Sequence, residues 1–201
     1  MKLEKARSTP ESVHMDLQLT QEQRRLLILI HTYTAPRDDG SQVWLKDLPL
    51  RALMYDGIVK KVFDWDYSPT SVFVHGIRRF INISQEGEHD LIELREAGLV
   101  DKLRITATEH VPSKAYRSSV EGAAVVADFP EEDRKTIIDL ISCLRCESAR
   151  EVRVTSSEAF YFCKDCESTE HIGLFNIEDV AYVARPYLPR VLGVGSTGGE
   201  S

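Results

Sequence analysis

All four cysteines of this chain lie in one stretch, CLRCESAREVRVTSSEAFYFCKDC, as two C-x-x-C pairs separated by sixteen residues. Each pair forms a turn that can present two thiolates to one ion, and sixteen residues suffice for an out-and-back excursion between the turns. EVRVTSS alternates Val152 and Val154 with Glu151 and Arg153, and EAFYFCKDC supplies a return strand, with Ser156 and Ser157 near the turn. Four thiolates fill the tetrahedral shell of Zn²⁺ and leave no position for water. A site made of Cys143, Cys146, Cys163 and Cys166 is therefore expected to be structural rather than catalytic. A redox dithiol pair or an iron–sulfur site is the alternative that the spacing leaves open.

The cellular setting inferred from the rest of the chain agrees with metal ligation. The amino terminus, MKLEKARSTPESVHMD, lacks the apolar centre of a secretory signal, and the longest apolar run, Leu26 to Ile30, is far too short to span a membrane. A cytoplasmic or nuclear protein follows, and in a reducing compartment paired cysteines serve as ligands before they serve as disulfides. With 42% hydrophobic residues among 201, the chain can bury a real core. Its net charge of −7 repels polyanions on average, so nucleic-acid binding would require a local basic surface.

The chain divides at changes of composition. Residues 1–15 read as a flexible arm, 16–127 as the first domain, 128–142 as a connecting helix, 143–193 as the cysteine-bearing domain with its extension, and 194–201 as a flexible tail. Thr20 with Gln23 makes a capping box ahead of RRLLILI, predicting a helix over Gln21 to about Tyr33. Val43 and Leu45 alternate as a short strand. Ser68-Pro69 reads as a helix start, with Phe73, Ile77 and Phe80 at helical spacing, while the β-branched SVFV admits a strand. The pattern S-x-E-G occurs twice, at Ser84 and Ser119, at a constant offset of 35, each time where an extended segment meets a helix-compatible run. That arrangement fits a strand ending at a serine cap and hints at a repeat. Pro130 with Glu131, Glu132 and Asp133 opens the connecting helix.

LIELREAGLVDKLRITATEHVPSKAYRSSVEG resembles the back half of a winged-helix domain. The helix ends at Gly98, a strand from Leu103 to Thr108 turns near Pro112, and a second strand from Ala115 to Ser119 completes the wing. The cysteine stretch resembles a zinc ribbon. Together they imply an α+β protein in which a winged-helix-like unit precedes a small four-cysteine ribbon. Residues 36–80 exceed the usual connection and leave an enlarged or a tandem unit open. The order of modules is similar to that of the large subunit of general transcription factor E, whose family acts as protein-docking adaptors in transcription initiation. The ribbon here lacks the prolines often found in such C-P-x-C turns.

Two surfaces follow as candidates for recognition. Glu86, Glu88, Asp90 and Glu93 put four carboxylates at the start of the helix that would meet the major groove in a DNA-binding winged helix, which disfavours readout there and suits docking of a basic protein. Lys102, Arg104, Lys114 and Arg117 put cations on the wing, where nucleic acid could bind. The six histidines are scattered without a metalloprotease spacing, and no phosphate-binding loop or dinucleotide fingerprint occurs. The expectation is a non-catalytic adaptor or assembly component docking protein partners, with a DNA-binding regulator as the alternative.

Overall fold

The computed structural model describes residues 18–36, 43–74, 76–105 and 113–175. The expected arm and tail, the expected wing turn near Pro112 and the extension after Phe175 lie outside them. Helix α1, Gln21–Thr34, opens with the expected capping box: the Thr20 hydroxyl accepts from the Gln23 amide, and the Gln23 side chain accepts from the Thr20 amide. Its apolar run is enclosed on every side, since Leu26, Leu27, Ile28, Leu29 and Ile30 are all buried. A helix so placed is the axis around which the other elements pack.

After strand β1, Leu45–Lys46, comes helix α2, Asp47–Val59. Residues 68–83 then form an antiparallel hairpin of β2, Ser68–Val74, and β3, Ile77–Ile83, turning at Gly76 with φ +80°. The helical spacing of Phe73, Ile77 and Phe80 is thus a coincidence of register. Cross-strand pairing and the β-branched residues decide the conformation.

Both serine motifs cap helices as expected. Ser84 caps α3, Gln85–Glu96, and Ser119 caps α4, Val120–Ala127, each hydroxyl accepting the amide of the glycine three residues on. Those glycines are required by proximity: a Cβ on Gly87 would overlap Met54 and Trp65, and one on Gly122 would overlap the Leu99 carbonyl. Helix α3 ends in a Schellman turn. Gly98, at φ +75°, donates to the Arg95 carbonyl at 3.0 Å, and Leu99 donates to the Leu94 carbonyl at 2.9 Å. Strand β4, Val100–Ile105, then pairs antiparallel with β5, Ser113–Ser118, and β1 adds to the free edge of β5, giving the order β1-β5-β4.

Helix α5, Glu131–Ile141, lies against α1, with Ile137, Leu140 and Ile141 buried. Its Asp133 accepts from Arg24 Nε at 2.9 Å and Arg25 Nε at 3.0 Å. The cysteine stretch follows as a three-stranded antiparallel sheet of β6, Glu151–Val154, β7, Ala159–Phe162, and β8, Thr169–Ile172. The hairpin between the cysteine pairs is as expected; the third strand, which contains His171, is additional. One hydrophobic cluster includes α1, α2 and α5 together with Ala159, Tyr161, Ile172 and Leu174, so the core continues into this sheet. The protein is therefore mixed α+β, with five helices and three small sheets among the described residues.

Candidate metal centre and recognition surfaces

The two C-x-x-C turns have the same backbone plan. Cys143 N donates to the Ser148 carbonyl at 2.8 Å, and Cys163 N donates to the Ser168 carbonyl at 3.0 Å. The residue after each second cysteine is left-handed, Glu147 at φ 61° and Glu167 at φ 55°. The pairing of β6 with β7 then folds one turn back against the other. Cys143 Sγ comes to 3.5 Å from Cys166 Sγ, and Cys146 Sγ to 3.4 Å from Cys163 Sγ. All four sulfur atoms lie within 4.8 Å of one another. A tetrahedral Zn²⁺ with bonds of ~2.3 Å needs sulfur atoms about 3.8 Å apart, so a small expansion of this cluster would accommodate the ion.

Hydrogen bonding favours the thiolate at Cys143 and Cys166, whereas at Cys163 burial and the neighbouring Cys146 sulfur push the thiol up to about 11, so an ion would have to displace that proton. Cys143 and Cys163 are buried, whereas Cys146 is exposed. Ser168 Oγ lies 3.3 Å from Cys143 Sγ and 3.1 Å from Cys166 Sγ. The Ser168 hydroxyl, with the Arg145 amide, holds the Cys143 thiol down to about 5, and Ser168 also lowers Cys166. The four cysteines are compatible with structural zinc. Sequence reasoning missed Ser168, a small polar residue whose role depends on the fold of the second turn.

Sequence reasoning also missed what fixes this centre to the helices. Tyr161 is fully buried, and its hydroxyl donates to Asp56 Oδ2 at 2.7 Å. The Arg150 guanidinium sits 3.8 Å from the Tyr161 ring centroid, and its Nη2 donates to the Leu140 carbonyl at 2.8 Å at the end of α5. Tyr33 of α1 donates to the Arg150 carbonyl at 2.9 Å. A cation at a helix carboxyl end is favourable to the dipole, so Arg150 both stabilises α5 and holds the cysteine-bearing sheet against it.

The acidic residues of α3 are engaged within the chain. Glu86 accepts from the Asp66 amide at 2.7 Å, and Glu88 pairs with Arg51. Asp90 accepts from Trp65 Nε1 and Gln23 Nε2, both at 3.1 Å, while Glu93 also accepts from Gln23. Burial raises the Asp90 carboxyl above its ordinary value. An open depression of about 700 Å³ adjoins this helix, lined by Thr20, Asp64, Trp65, Glu86 and His89 among others. His89, Asp90 and Glu93 are close enough to share an ion, but the Asp90 contacts to Trp65 and Gln23 account for its position.

The β4–β5 pair divides its cations between two faces. Arg104 and Lys114 are directly paired across β4 and β5, and Lys102 lies two residues from Arg104 on the same face. Arg117 is on the other face, where it meets Asp101 at 2.9 Å and lies 4.5 Å from the Trp44 ring centroid. Burial, then the nearby charges of Arg95 and Lys114, hold the Lys102 ammonium below its usual value. Among the described residues, Arg95, Lys102, Arg104 and Lys114 have no carboxylate within ion-pair distance.

Fold and site define a mixed α+β protein packed around α1, with a four-cysteine centre beside its last sheet. A family model described as the Uncharacterized protein MJ1567 family matches residues 22–172, and the chain belongs to that family. The match spans the β2–β3 hairpin, strands β4 and β5, and all four cysteines. It carries no identification with the winged-helix superfamily or transcription factor E. A comparison with curated proteins finds no match. No described helix is long and apolar enough to cross a membrane.

Proposed function

We propose that this is a non-catalytic macromolecular-recognition protein, an enlarged winged-helix unit closed by a structural zinc ribbon, whose wing engages the phosphate backbone of nucleic acid. The winged-helix reading is supported by the order α1-β1-α2-α3-β4-β5 and the sheet β1-β5-β4, with the β2–β3 hairpin as an insertion. The four-cysteine set supports zinc as a folding element, since four thiolates would exclude a reactive water. The observation that carries the functional reading is the cluster of Arg95, Lys102, Arg104 and Lys114. Like charges directly opposite on a strand pair are destabilising, so a polyanion that neutralises Arg104 and Lys114 would relieve a cost of the free protein.

A protein-docking adaptor is the second reading. Leu144, 88% exposed on the first cysteine turn, and Val120, 83% exposed at the start of α4, favour it as apolar contacts left for a partner. An electrophoretic shift of random-sequence duplex DNA at low salt separates the two. Binding that is lost on Arg104→Glu with Lys114→Glu and kept on Glu86→Lys supports the wing. No shift under those conditions removes the nucleic-acid reading and leaves the adaptor.

A further inference from the structure

From Tyr67 to Ser84 the chain contains no aspartate or glutamate, although it carries 32 acidic residues in all. This segment is the β2–β3 hairpin, and its two faces differ. The inner face is anchored: Val74 and Ile81 are buried and Arg79 Nε donates to the Ser156 carbonyl at 2.9 Å, while along the β3 edge the Asn82 amide donates to the Leu174 carbonyl at 2.8 Å. The outer face holds the cross-strand pairs Phe73 with Arg78 and Ser71 with Phe80. Phe73 is 65% exposed, so its ring is not there to fill the core. Arg78 Nε donates to Ser71 Oγ at 2.6 Å, its guanidinium is 6.0 Å from the Phe80 ring centroid, and it has no ion pair among the described residues.

We propose that the outer face of this hairpin, Phe73, Arg78 and Phe80, is a stacking surface for the unpaired bases of single-stranded nucleic acid. Planar rings and a guanidinium on one sheet face offer π-surfaces that any base can cover, and stacking of this kind tolerates sequence variation. A segment free of carboxylates puts no negative charge beside the phosphates, whereas most of this protein would repel them. Duplex bases are already stacked on one another, which leaves unpaired strands as the occupant. The surface is separate from the wing sheet, so it goes beyond the wing reading and stands or falls without it.

The test uses the full zinc-loaded chain and a labelled oligothymidylate, with a random duplex of equal length in parallel. Phe73 is exposed, so Phe73→Ala should fold normally, as checked by circular dichroism. It is expected to weaken oligothymidylate binding about tenfold while leaving duplex binding unchanged. Lys102→Glu with Lys114→Glu is expected to do the reverse if the wing binds duplex. In Phe73→Trp the new indole is expected to lose fluorescence on adding oligothymidylate and to restore affinity. The proposal is overturned if the wild type does not bind the oligomer at low salt, if Phe73→Ala binds it as tightly, or if the Phe73→Trp emission is unchanged at saturation. It is equally overturned if Phe73→Ala alters only self-association measured by light scattering, since the occupant is then a second copy of the chain.

Discussion

The Tyr161 hydroxyl hydrogen-bonds Asp56 Oδ2 at 2.7 Å, which joins the middle strand of the cysteine-bearing sheet to a buried carboxylate of α2. Asp56 also meets Lys60 Nζ at 2.9 Å, so the hydroxyl is one of two partners that compensate its burial. Tyr161→Phe keeps the ring and removes the bond, and should cost about 2 kcal/mol because the acceptor is charged. Because that bond connects the cysteine-bearing sheet to the helices, release of zinc bound at the proposed site and unfolding of the core should occur in one transition. Denaturation followed by the emission of buried Trp65 and by a zinc indicator checks this; two separated midpoints in the wild type would contradict it.

Asp133 should make stability fall in acid. Burial alone would raise its carboxyl, but hydrogen bonds from Arg24, Arg25 and Gln21 overcome that and hold it below the ordinary aspartate value. A group depressed in the folded state contributes stability above its unfolded pKa of about 3.9, and loses it as pH falls through the folded value. Asp133→Asn should therefore cost about 3 kcal/mol near neutral pH, with Arg24 and Arg25 left half-buried without their carboxylate, and the deficit should shrink below about pH 4. Urea titrations of both proteins across that range measure the difference directly.

Gly122→Ala should be far more damaging than its chemistry suggests. The added methyl would overlap the Leu99 carbonyl, a backbone atom that cannot rotate away, at the point where α4 starts beside the end of α3. A loss of about 3 kcal/mol, the upper part of the range for overpacking, is expected in thermal unfolding. Gly98→Ala has open space around it and pays only for its φ of +75°, so about 1 kcal/mol is expected.

Glu147→Gly should stabilise the first cysteine turn. Glu147 holds φ 61°, a conformation glycine adopts without a Cβ penalty. Competition with a chelator should show zinc retained as well as or better than in the wild type, with a gain of up to about 1 kcal/mol. Weaker retention would mean that the Glu147 side chain supports the site.

Local chemistry was legible in the sequence, and contacts between distant segments were not. The capping box at Thr20, the serine caps at Ser84 and Ser119, the left-handed Gly98 and the two C-x-x-C turns each depend on a few adjacent residues, so composition at fixed offsets reveals them. The 68–83 hairpin was ambiguous because Phe73, Ile77 and Phe80 satisfy a helical period, and only pairing across the turn at Gly76 decides the matter. Tyr161, Arg150 and Ser168 gave no signal at all. Their partners, Asp56, the Leu140 carbonyl and Cys143, become neighbours only when the sheet closes on the helices.

The proposed nucleic-acid role of the basic face on β4 and β5 is tested most directly by the salt dependence of duplex binding. Neutralising four phosphates releases condensed counterions, so log affinity against log salt should fall with a slope of about −3 to −4. Lys102→Glu with Lys114→Glu, on a fold verified by circular dichroism, should lower affinity across all sequences and make the slope shallower by about 2. A slope unchanged by that reversal, or no measurable duplex binding at about 50 mM salt, would contradict the account.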